Sequence, residues 1–140
     1  MKQLIVLAGV LPILLLFLAQ YTLDQKNSAA VSFVQEQVYT AKEQAKQEGC
    51  FTPAIQEELK GKISEKLSLA AEDILIEATE SRHYRTNGFQ GWGGRGLIHY
   101  KVSIPIEKVM AGGTLLGIGP KENRGYYVVE GSAASERLPD

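Results

Sequence analysis

Gln3-Leu4-Ile5-Val6-Leu7-Ala8-Gly9-Val10-Leu11-Pro12-Ile13-Leu14-Leu15-Leu16-Phe17-Leu18-Ala19, continued by Gln20-Tyr21-Thr22-Leu23, decides the class of this chain. Lys2 precedes the run and Asp24 follows it, and the 21 residues between them carry no charge. At the rise of an α-helix they span roughly 31 Å, the thickness of a hydrocarbon core. A helix buried in a soluble core would show a polar face, and residues 4–19 show none. Pro12 would break such a helix in water, yet a proline inside a membrane helix is tolerated as a kink. The run is therefore expected to be a retained anchor over residues 1–23. A cleaved secretory signal is the competing reading. It calls for a shorter apolar core and a small-x-small site, and Phe17-Leu18-Ala19 puts a bulky residue there. Lys2 on one side, against Asp24 and Lys26 on the other, places the N-terminus in the cytoplasm and the remaining chain outside.

Above the anchor, no helix breaker intervenes from Tyr21 to Glu48. Val31, Val34, Val38, Ala41 and Ala45 recur at intervals of 3, 4, 3 and 4, a narrow apolar stripe suited to packing on a domain or a neighbouring helix. Residues 24–49 are thus read as an amphipathic continuation of the same helix, stopped at Gly49. Thr52-Pro53 restarts the chain as an N-cap and first-turn proline. Ile55, Leu59, Ile63 and Leu67 then define a short helix over 53–67, with Glu58 and Lys62 as an i,i+4 pair.

The second half changes period. Ile98, Tyr100, Val102, Ile104 and Ile106 alternate with His99, Lys101 and Ser103, the mark of a half-buried strand over 97–106. Further strands are expected near 73–80, 114–118 and 125–131, with a frayed tail from Gly131. No helical pattern separates these strands, so the sheet is antiparallel. The expected fold is α+β: a long N-terminal helix, transmembrane below and amphipathic above, packed on a three- or four-stranded antiparallel sheet, with residues 50–140 as a small extracellular domain.

The whole chain of 140 residues holds 15 Lys+Arg and 16 Asp+Glu, which excludes a polycation built to coat nucleic acid. One cysteine and two histidines exclude a multi-cysteine metal site. Cys50 is read as a buried small apolar residue, or as the half of an intermolecular disulfide. The loop Asn87-Gly88-Phe89-Gln90-Gly91-Trp92-Gly93-Gly94-Arg95-Gly96 lacks the Gly-Lys-Ser/Thr of a phosphate loop. Its basic and aromatic surroundings over 82–101 have the ingredients for stacking on single-stranded nucleic acid, but no nucleic-acid partner is assigned. A loop tip with exposed aromatics fits better, and Phe89, Trp92 and Arg95 are the candidate partner contacts. No catalytic constellation or cofactor site is read, and the expectation is a non-enzyme.

The segment Val10-Leu11-Pro12-Ile13-Leu14-Leu15-Leu16, the long helix after it, Gly49 before Thr52-Pro53 and the C-terminal strands resemble the TadE-like (tight-adherence) pilin-like family and related short proteins of Gram-positive secretion or conjugation loci. The layout is also similar to type IV pilins. The resemblance implies a structural subunit of a pilus-like filament or secretion assembly, partnered by membrane lipid and by copies of itself or related subunits. Leu7, Leu11, Pro12, Leu14, Leu15 and Leu18 are then the membrane and assembly positions, and Val31, Val34, Val38, Ala41 and Ala45 the helix-to-domain packing. Pilin-like chains usually carry an acid near the start of the apolar helix and several charges before the leader glycine. Residues 3–23 hold no acid and only Lys2 precedes Gly9, which points to a minor or accessory subunit. The alternative is an anchored extracellular binding module that uses the glycine-rich aromatic loop 84–96.

Overall fold

The computed structural model describes residues 1–84 and 96–138; Phe89, Trp92 and Arg95 lie outside the described residues. Helix α1 runs unbroken over Lys2–Glu48, through Pro12. It ends where the Gly49 amide donates to the Ala45 carbonyl at 2.8 Å, with Gly49 in the left-handed region at φ +87°. Helix α2 spans Pro53–Leu67. Thr52 caps it, its hydroxyl accepting the Ile55 amide, and Ser68 terminates it in a left-handed conformation. Strands β1 (Leu75–Ala78), β2 (Leu97–Ile106) and β3 (Gly125–Ala134) form one antiparallel sheet in the order β1-β2-β3.

The chain divides into two compact units. One comprises Ser32–Ile104 and Tyr127–Asp140, the other Met1–Val31 and Pro105–Tyr126. In the first, the core joins Val34, Val38, Ala41 and Ala45 of α1 with Phe51, with Ile55, Leu59 and Ile63 of α2, and with Ile74, Ile98, Val102 and Ile104. The spacings of the apolar residues in the two helices and in β2 thus meet in a single cluster, which removes all three from water at once. The β1–β2 register places Ile76 opposite Val102 on the core side and Glu77 opposite Lys101 on the other. The Phe51 and Tyr100 rings lie 5.8 Å apart in a tilted pair.

Several sequence expectations need correction. Residues 114–118 are not a strand: Gly113–Leu116 forms a single 3-10 turn. Gly112 and Gly117, on either side of it, sit at φ +70° and +80°, a conformation that curls the chain instead of extending it. Asp73 belongs to the 3-10 turn Ala71–Asp73, and β1 covers only Leu75–Ala78. The tail does not fray at Gly131, because β3 continues to Ala134 and Ser135 is buried. Cys50, by contrast, agrees with its reading as a buried small apolar residue, at 5% exposure.

Candidate functional site

Two features stand out, one in each unit. In Met1–Val31, Leu7, Leu11, Leu14, Leu15 and Leu18 all expose large apolar side chains, and Pro12 is exposed as well. Nothing in the apolar window of α1 is buried by the protein. Leu7, Leu11, Leu14 and Leu18 follow each other at 4, 3 and 4 residues and so form one seam.

A second seam is covered. Leu16, Gln20, Leu23, Asn27 and Ala30 are half-buried where their neighbours are exposed. Residues two apart on a helix differ by about 200°, so this seam lies nearly opposite Leu14 and Leu18. The segment that covers it lies within Pro105–Tyr126. Asn27 Nδ2 donates to the Lys108 carbonyl at 3.0 Å. Gln20 Nε2 donates to the Val109 carbonyl at 3.1 Å, and Gln20 Oε1 accepts the Ala111 amide at 2.8 Å. Gly112 lies so close to Leu16 that a β-carbon there would sit 2.6 Å from Leu16 Cδ2. Asn123 closes the neck of this loop. Its Oδ1 accepts the Val109 and Met110 amides at 3.1 and 2.7 Å, and its Nδ2 donates to the Met110 carbonyl at 2.8 Å. Sequence reading missed Gln20, Asn27 and Asn123. The available signal was the placement of Gln20 and Asn27 seven residues apart on one seam of the helix, with Gln20 inside the uncharged span.

The other unit holds a clasp at the base of loop 84–96. The His83 amide donates to the Gly49 carbonyl at 2.8 Å. The His83 carbonyl accepts Ser135 Oγ at 2.7 Å, and the Ser135 amide donates to the Gly96 carbonyl at 2.8 Å. A β-carbon on Gly96 would meet His83 Cβ at 2.7 Å, so only glycine fits this close approach. The Arg137 amide donates to Ser135 Oγ at 3.2 Å, and the Glu136 amide to the Lys46 carbonyl at 2.9 Å. Lys46 Nζ lies 3.3 Å from Glu136 and 3.5 Å from Glu43, and the hydrogen bond that its ammonium donates to Glu136 holds its pKa above the ordinary lysine value. The residues entering and leaving the loop are therefore tied to the end of α1 and to the tail.

An open hollow of about 530 Å³ lies on the sheet, lined by Glu77, His99, Lys101 and Glu130 among others. These four groups are all exposed. Among the described residues no three histidine, cysteine or carboxylate side chains cluster as metal ligands.

Fold and site together define an α+β protein with one N-terminal helix long and apolar enough to cross a membrane. Comparison with known proteins gives no matching family model, no similar curated protein and no similar solved structure.

Proposed function

We propose that this chain is a single-pass membrane protein acting as a structural or accessory subunit of a pilus-like filament or membrane secretion assembly, with no catalytic role. One observation carries the reading: the seam Leu7, Leu11, Leu14 and Leu18 is charge-free and fully open on a helix whose upper residues belong to a folded core. Such a surface is unfavourable in water and needs lipid or the helices of neighbouring subunits around it. The resemblance of the Leu11-Pro12 segment and of the layout to pilin-like chains supports assembly through that helix. The N-terminus is assigned to the cytoplasm and the domain to the outside on the placement of Lys2.

The test is electron microscopy of material sheared from cells, probed for this chain, alongside a deletion strain. Labelled fibres that are lost or altered on deletion support the subunit role. Fibres that never carry the chain and are unchanged without it refute it.

A second reading, an anchored binding module using loop 84–96, is favoured by the clasp. Bonds from Ser135 to His83 and Gly96 bring both ends of the loop to one place, as a presented recognition loop requires.

A further inference from the structure

We propose that residues 109–119 form a second membrane-contacting element, a loop whose tip sits among the lipids of the same leaflet that the end of the anchor occupies. The proposal rests on the reading of α1 as a membrane anchor and deepens it by giving the anchor an immersed neighbour.

Three observations converge within the unit formed by Met1–Val31 and Pro105–Tyr126. The first is depth. The loop meets the helix at Asn27 through Lys108, then at Gln20 through Val109 and Ala111, then at Leu16 through Gly112. It thus descends about 17 Å along the helix axis toward the apolar end before turning at Gly113–Leu116. Leu16 lies seven residues, about 10 Å, inside the end of the uncharged span at Leu23. A loop bonded at that level cannot remain in bulk water if the span is in lipid.

The second is composition. Residues 109–120 carry no charge, and charges resume on both sides with Glu107 and Lys108 before, and Lys121, Glu122 and Arg124 after. At the turn Leu115 is 82% and Leu116 65% exposed, and Val109 and Met110 at the neck of the loop are exposed as well. An apolar tip framed by charged residues of both signs suits acyl chains below and polar headgroups above.

The third is hydrogen bonding. Irregular backbone survives at membrane depth only where its polar groups find partners in protein. Asn123 and Gln20 supply them for Val109, Met110 and Ala111. The turn satisfies itself through Leu115 to Gly112, Gly117 to Thr114 and Ile118 to Gly113. The same bonds explain a glutamine near the end of an apolar span: its amide is occupied on both sides.

The full chain, with Trp92→Phe to leave no native tryptophan, is reconstituted into phosphatidylcholine vesicles carrying Leu115→Trp, Leu116→Trp or Leu11→Trp. Lipids brominated near the headgroup end of the acyl chain then serve as quenchers for the 115 and 116 sites, and lipids brominated near the chain terminus for Leu11→Trp. We expect blue-shifted emission at 115 or 116, quenched roughly twofold or more, with Leu11→Trp quenched by the deeper label. Quenching of Leu11→Trp with water-like, unquenched emission at both 115 and 116 overturns the loop proposal and leaves the anchor standing. Blue-shifted but unquenched emission at 115 and 116 means that protein, such as a second copy, covers the tip, and also overturns it. No quenching at any of the three sites defeats the anchor reading, and the loop proposal with it.

Discussion

Ser135 Oγ donates a 2.7 Å hydrogen bond to the carbonyl of His83, 52 positions earlier in the chain. Ser135 is only 2% exposed, and its own amide holds Gly96. Replacing it with alanine leaves the part-buried His83 carbonyl without this donor. We expect Ser135→Ala to cost about 1–3 kcal/mol, with faster amide exchange at His83 and Ser135, and the exposed Ser132→Ala to cost close to nothing. Denaturant unfolding of the full chain in detergent micelles, with exchange followed by mass spectrometry, measures both. Equal stability of the two variants would show that the clasp contributes nothing.

Ile63 is the fully buried residue of α2, in the cluster shared with α1 and β2. Truncation to alanine removes its burial and leaves a cavity. The expected loss is about 2–5 kcal/mol, read as a lower denaturant midpoint with an unchanged slope. A loss below that of an exposed alanine substitution in the same helix, such as Glu65→Ala, contradicts the core described above.

Lys46 ties α1 to the tail through Glu136, and its folded-state pKa lies above the ordinary 10.5. A lysine whose pKa is raised by folding holds its proton more tightly in the folded state. Its contribution is complete below pH 10.5 and is lost as pH rises through the higher folded value. The stability gap between the natural chain and Lys46→Met should therefore narrow in alkaline solution. A gap that stays constant from neutral to strongly alkaline pH assigns the effect to packing of the lysine stem.

Leu15 is near the middle of the apolar run and exposed on α1. A charge at that depth costs about 2.5–3.5 kcal/mol of insertion free energy. Leu15→Arg should shift the chain from the carbonate-resistant membrane pellet toward the soluble or aggregated fraction, whereas Leu15→Ile should not. Identical fractionation of both variants counts against the anchor.

Period and local chemistry in the chain itself determined the long helix, the Thr52-Pro53 start of α2, the 97–106 strand and the stripe Val34, Val38, Ala41 and Ala45, because each depends on neighbours within a few residues. The run at 114–118 misled because five residues are too few to separate a strand from a turn, and the left-handed glycines on either side of the turn curl the chain. Only the tertiary structure decided that Gln20 meets Ala111 across 91 positions, that Asn123 closes its loop, and that Ser135 joins His83 to Gly96. A polar side chain with many backbone partners within reach carries no periodic trace of the one it selects, and that choice is made when folding excludes water and each buried polar group must find a partner.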